Sequence, residues 1–343
     1  MRKYLIVMST LAMAATLSAH AAEIIYVGGS GGSTEQIFKE KIIPAFEAKT
    51  GAKVVYVPGN STDILAKLQA QKGKQEISVA LIDDGPMYQA IGQGLCAKVE
   101  NGGPIKELYP NARMIGDRSV GIGFIATGLA YNKDIFAKNG WKAPTSWLDL
   151  TDPKYKQKVV IPPITNGYGL LTLVMMSRLN GGSEEKMDPG FDVMTKKVAP
   201  NVLAWEPSPG KMAQMLQTGE AALVVWGNGR VQVVVDQGAP VEFVYPKEGA
   251  VALMVAGCVV EGAPQAKLGQ LFLQHVVSAE SQATLATSQG WGPVNKDTKL
   301  APEVIKRVVY GPDKVNAMIS PNYEVINAKR AEWTNRWNRE VER

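Results

Sequence analysis

The residues with the most chemistry to offer sit in loops that leave short apolar strands and open helices. Ser30, Gly31, Ser33 and Thr34 fall in or beside a glycine–serine run, Gly28 to Ser33, between the strand Ile24-Ile25-Tyr26-Val27 and an amphipathic helix. Asn60 lies in an exit loop, Pro58-Gly59-Asn60-Ser61, and Asp83 and Asp84 follow the apolar run Ile77 to Ile82. Asn166 and Tyr168 open another helix, and Trp226, Asn228 and Arg230 close a strand and begin the next one. Trp291 stands in Gly290-Trp291-Gly292-Pro293-Val294-Asn295. Helix N-termini present free N–H groups and suit anions, each contributing about 0.3–1 kcal/mol and up to ~2 when partly buried. Arg230 can clamp a carboxylate or phosphonate in bidentate geometry. Asp83 and Asp84 suit an amino group, although Asp83 is equally a cap for the helix that follows. These types in this order fit a small organic acid, a carboxylate or phosphonate with room for an amino group.

The same inventory narrows what else the chain can do. His20 falls in the leader, which leaves His275 as the single histidine of the mature chain, inside a helical pattern. A zinc site of several histidines is excluded, and no nucleophile elbow accompanies His275. No phosphate loop ending in Gly-Lys-Ser/Thr is present. The expectation is a binding protein and not an enzyme, with no metal and no cofactor.

These loops need strands and helices to hold them. Ser33 opens a helix with Gln36 three residues on, a capping-box spacing. Phe38, Ile42, Ala45 and Phe46 mark its apolar face. Pro44 should kink or restart it, and Thr50-Gly51 should end it. Strands are expected at Val54–Val57, Ile77–Ile82, Lys158–Ile161 and Ala221–Trp226. Helices are expected at Thr62–Gln71, Tyr168–Leu179 and Arg230–Gln237. Strand, loop and helix in alternation predict parallel sheets covered on both faces, with ligands beyond the carboxyl ends of the strands. Gly121–Tyr131 breaks the rhythm as a long β-prone segment able to carry the chain into a second lobe, and Val241–Tyr245 is one able to cross back. Trp333 and Trp337, four apart in the amphipathic stretch 322–343, are expected to pack against a lobe.

Met1 to Ala22 has the three parts of an export signal: Arg2 and Lys3, an apolar core over Tyr4–Leu17, and Ala19-His20-Ala21 as the cleavage site. That core is shorter than the roughly 20 apolar residues a membrane span needs. No cysteine stands there for lipid attachment, so a free periplasmic protein is expected. About 320 residues remain, enough for two lobes. Losing Arg2 and Lys3 takes the formal charge from +5 to +3. With no run of five like charges, nucleic acid is not an expected partner. Cys96 and Cys258 lie in apolar surroundings that suit two buried thiols, while export leaves a disulfide chemically open.

Three strings carry a resemblance: Pro144-Thr145-Ser146-Trp147-Leu148-Asp149-Leu150 continuing to Asp152-Pro153-Lys154-Tyr155, Gly128-Leu129-Ala130-Tyr131-Asn132-Lys133-Asp134, and Tyr245-Pro246-Lys247-Glu248-Gly249. Together they resemble the extracellular solute-binding proteins of ATP-binding-cassette (ABC) importers, in the branch of polyamine, thiamine and ferric-ion receptors. The resemblance implies an α/β, two-lobed periplasmic-binding-protein fold of type II, each lobe a mainly parallel sheet flanked by helices. The hinge would be two strands near Gly121–Tyr131 and Val241–Gly249. It implies a signal over 1–22, lobe 1 over 23–122 plus 249–300, lobe 2 over 128–245, and C-terminal helices over 301–343 packing on the lobes. It also implies a monomer that closes on a small-molecule ligand and docks transiently on an inner-membrane ABC permease.

The ferric branch uses two adjacent tyrosines, but Tyr310 and Tyr323 stand alone here. Polyamine receptors follow the Pro-Lys-Glu-Gly string with an aromatic residue and then an aspartate. The matching positions here are the apolar Leu253 and Val255. A spermidine/putrescine or thiamine ligand is therefore the alternative to an acid, with Trp226 and Tyr168 able to stack on a thiamine ring. An exported enzyme or a sensor-docking protein on the same fold is the alternative of another class.

Overall fold

The computed structural model describes residues 22–342, so the export signal read over 1–22 lies outside the described residues apart from Ala22. Strand β1 (Ile24–Gly29) alternates in burial and pairs in parallel with β2 (Lys53–Pro58), Ile25 opposite Val54 and Val27 opposite Tyr56. Between them α1 (Ser33–Ile37) runs through a wide turn at 38–42 into α2 (Ile43–Thr50). Pro44 restarts the helix at its first turn, where its missing N–H costs nothing. Gly51 ends it at φ 73°, a left-handed cap that favours glycine. Helix α3 (Ser61–Ala70) leads to β3 (Val79–Asp83), parallel to β1, and β3 passes directly into α4 (Asp84–Gly92).

Strand β4 (Val120–Asn132) is thirteen residues long and almost wholly buried. After α5 (Lys133–Lys138) the alternation resumes with β5 (Val159–Ile161), α6 (Gly167–Leu179), α7 (Asp188–Val193), β6 (Val202–Trp205), α8 (Pro209–Thr218), β7 (Leu223–Gly227) and α9 (Asn228–Asp236). Helix α6 is buried without a break from Gly169 to Ser177. That fits its lack of a polar face, since a helix that is hydrophobic all round belongs in a core. Next come β8 (Val241–Val244), β9 (Val251–Val259), α10 (Ala266–Val276) and α11 (Ala279–Gln289). Two short helices, α12 (Pro302–Ile305) and α13 (Pro312–Asn316), precede the long α14 (Tyr323–Glu340).

The strands run in the order β2-β1-β3-β9-β4-β7-β5-β6, with β8 also on β4. The two lobes share β4: residues 120–127 pair with β9, and residues 127–131 pair with β7. The expected return strand needs correction. Val241–Val244 stays in the second lobe, pairing antiparallel with Leu129–Asn132, and the chain comes back through 245–250 into β9. Burial explains the choice. Strand β8 is half exposed at an edge, whereas β9 is apolar on both faces and can lie centrally between β3 and β4.

One apolar cluster gathers Ile25, Phe38, Phe46, Ile64, Val79 and Phe272. A second gathers Phe136, Trp147, Tyr155, Phe191, Trp333 and Trp337, and a third lies around Met212, Val224, Trp226 and Val231. Each large apolar side chain fully buried this way contributes about 1.5–3 kcal/mol. Trp333 and Trp337 are core residues, and Trp337 meets Trp205 edge-on at 4.9 Å. Cys96 and Cys258 form a disulfide, with their Cα atoms 5.7 Å apart. The sequence left free thiols equally open, because only the fold brings residues 162 positions apart together.

Candidate functional site

The loops at the carboxyl ends of β1, β2, β3, β5 and β7 converge on a cleft between the lobes. It holds two adjoining compartments of about 270 and 300 Å3 that share Asn60, Ser61, Asp83, Asn166, Gly167, Pro207 and Leu253. Ser30, Ser33, Thr34, Tyr168, Trp226, Arg230 and Trp291 line the smaller one. Asp84, Thr165, Tyr323 and Arg330 line the larger. Of the thirteen residues singled out from sequence, Gly31 and Asn228 are absent from both linings.

Asn228 braces the lobes instead. Its Oδ1 accepts from Ala126 N on β4 (3.0 Å), and its Nδ2 donates to Gly290 O (3.2 Å) and Arg307 O (2.9 Å). Every polar atom of that side chain has a backbone partner, which is what a buried amide requires. Two glycines make the close approach possible. A Cβ at Gly227 would stand 2.4 Å from Tyr168 Oη, and one at Gly229 would stand 2.4 Å from Gln289 O.

The helix starts differ in what they leave for a ligand. Asn60 Oδ1 accepts from Asp63 N (2.9 Å) and Asn166 Oδ1 from Tyr168 N (2.9 Å), so both act as caps. Helix α9 has no side-chain cap: its N-cap is Gly227, and Arg230 is in its first turn. Gly229 and the exposed Arg230, both in that first turn, line the smaller compartment. Opposite them, Ser33 and Thr34 hydroxyls reach Gln289 Oε1 at 3.5 and 3.3 Å, and Tyr56 Oη holds Ser30 O at 2.8 Å.

Asp83 faces both compartments. Burial pushes its carboxyl up, against the lowering pull of Ser61, Arg230 and Arg330. Asp84 is occupied by the fold: it accepts from Gly85 N (2.9 Å) and Met254 N (3.0 Å) and shares a hydrogen bond with the Tyr323 hydroxyl. Burial nevertheless pushes it up to about 7. The Tyr168 hydroxyl is pushed up to about 12, again chiefly by burial, so it enters the cleft as a neutral donor.

Two cations stand out. Arg113, Arg118, Arg178, Arg307, Arg336 and Arg339 each have a carboxylate oxygen within 4.0 Å. Arg230 and Arg330 are the two described arginines without one, and both line the cleft. Sequence reasoning missed Arg330 by treating α14 as core cover. The signal was present: Tyr323, Ile326, Trp333 and Trp337 form a buried stripe at helical spacing, and Arg330 is the charged residue on it. Tyr323, Gln289 and Pro207 were also missed, since nothing local marks them, and Ser61 was passed over although it shares the exit loop of Asn60.

A two-lobed α/β molecule, with its cleft at the strand ends and its lobes joined by crossing strands, defines the class of periplasmic binding proteins. The family model of the bacterial extracellular solute-binding proteins matches residues 41–309, and the chain belongs to that family. It is 24% identical over 309 residues to a putative 2-aminoethylphosphonate-binding periplasmic protein of Salmonella typhimurium, covering 87% of this chain and 86% of the relative. It is 25% identical over 308 residues to the spermidine/putrescine-binding periplasmic protein of Escherichia coli, covering 86% and 82%. An ABC transporter structure from Clostridium perfringens superposes with a TM-score of 0.79 at 22% identity, over 92% of this chain and 99% of the other. The family and the curated relatives named here are binding proteins, and those relatives are periplasmic.

Proposed function

We propose that the cleft captures a small organic acid bearing an amino group. The acid end is held by Arg230, the open start of α9 and the hydroxyls of Ser30, Ser33 and Thr34, and the ammonium is held by Asp83. The observation that carries this reading is Arg230, a cleft guanidinium with no carboxylate of the protein within 4.0 Å, in the first turn of an uncapped helix. A carboxylate or phosphonate supplies the missing partner in charge-assisted geometry. The Salmonella relative named for 2-aminoethylphosphonate agrees with an amino-bearing acid.

The relatives named for spermidine and putrescine support a second reading, in which Asp83 and the faces of Trp226 and Trp291 hold ammonium groups. Against it, Asp83 lies in the fields of both Arg230 and Arg330, which repel a polycation, and Leu253 and Val255 add apolar lining.

In the acid reading, lobe 1 (23–122 plus 249–300) and lobe 2 (128–245) rock about β4 and the link at 245–250, with residues 301–342 packed on both. The protein is exported to the periplasm by the segment 1–22. It acts as a monomer and turns nothing over. Ligand contacts from both lobes favour the closed form. That form docks on an inner-membrane ABC permease. Native mass spectrometry of gently isolated protein tests the reading: a co-purified amino-bearing acid supports it, and a co-purified polyamine overturns it.

A further inference from the structure

We propose that Arg330 is a second recognition residue, and that the cleft selects amino acids carrying two acidic groups, one for each guanidinium. The proposal rests on the acid reading above and extends it to the other compartment. Arg230 lines the smaller compartment, Arg330 the larger, and Asp83 lines both. An acid–ammonium–acid pattern is the complement of that arrangement.

The pairing pattern among the arginines carries the argument. Arg339 is far out in solvent, with its side chain 68% exposed, and still has a carboxylate 3.2 Å away. Arg330 is half-buried, where lost hydration makes a counter-charge worth more, and it has none within 4.0 Å. Its Nη2 donates to Thr165 O (3.2 Å), another residue of the same compartment's lining. Its Nη1 stands 3.5 Å from the place a Cβ would take on Gly85, in the first turn of α4. Asp83 and Asp84 pull on the guanidinium only from beyond ion-pair distance, and each is shared with other groups. Asp84 is engaged by Gly85 N, Met254 N and Tyr323, and Asp83 feels both Arg230 and Arg330. Helix α14, which carries Arg330, is rooted through Trp333 and Trp337 in the second core. The side chain is therefore delivered to the cleft by a fixed scaffold.

The test uses two matched pairs of probes that differ by one carboxylate: glutamate against 4-aminobutyrate, and 2-amino-3-phosphonopropionate against 2-aminoethylphosphonate. Binding to the mature protein is followed by intrinsic tryptophan fluorescence, since Trp226 and Trp291 line the cleft. The expected result is that the diacid of at least one pair binds about tenfold tighter or more, the size of a charge-assisted contact. Arg330→Gln should bring that ratio close to one by weakening the diacid about tenfold more than the monoacid. A wild-type ratio near one in both pairs overturns the proposal whether or not the variant folds. So does a variant that weakens both members of a pair equally, the mark of a brace between lobes. If the wild type binds none of the four acids, the acid reading itself fails, which is a separate outcome from losing the diacid preference.

Discussion

Arg230 and Asp84 illustrate two ways a charged side chain can serve a cleft. Arg230 meets the ligand space with no protein carboxylate within 4.0 Å, so Arg230→Ala should weaken binding of an amino-bearing acid by about 1.5–3 kcal/mol, the value of a hydrogen bond to a charged group. Calorimetry on the folded variant reads this directly, and an unchanged affinity removes Arg230 from the site. Asp84 serves by being tied into the fold. Its carboxyl sits at about 7, well above the ordinary 3.8, because burial disfavours the charged form. The native state therefore holds a proton on it that the unfolded chain releases between those values. Its stabilising share is fully present below about pH 4 and is lost as pH rises through about 7. Unfolding by urea at pH 5.5 and 8 should show that loss, and Asp84→Asn should reduce the difference between the two. Arg230, Asp83 and the Ser30–Thr34 loop were legible as candidates because each follows an apolar strand and opens a helix. Asn228 stood in an equally promising loop, yet its role depends on backbone groups at Ala126, Gly290 and Arg307 that no local pattern reveals.

At the scale of elements, β4 and α14 matter most. Strand β4 was visible as a β-prone run that breaks the alternation, and Val120–Asn132 is the strand shared by both lobes. Its partner was misplaced because β8 and β9 are both β-prone and only burial ranks them. Helix α14 was read correctly as packing by its tryptophans and incompletely as nothing more. Trp333→Ala should cost about 3–5 kcal/mol, as loss of a buried tryptophan does, and urea unfolding should register it. An unchanged midpoint would mean that α14 is not part of the second core. The Cys96–Cys258 disulfide ties β9 to the segment after α4. Replacing both cysteines with serine should cost about 2–5 kcal/mol, and the same urea experiment without reductant measures it.

At the scale of the whole molecule, the two-lobed architecture was legible from alternation and three short strings. The proposed lobe closure is a property of neither lobe alone. Loops from β1, β2 and β3 face loops from β5 and β7 across the cleft, so a ligand that touches both sets binds the closed form better. Ligand identity was the least legible feature, because it depends on which side chains remain unpaired after folding. The central claim is that those unpaired groups make the cleft a receptor for amino-bearing acids. Isothermal calorimetry of the mature protein against 2-aminoethylphosphonate, small amino-bearing carboxylates, spermidine and putrescine tests it most directly. The account predicts saturable binding of at least one acid and none of either polyamine. Saturable binding of a polyamine with no response to any acid would contradict it.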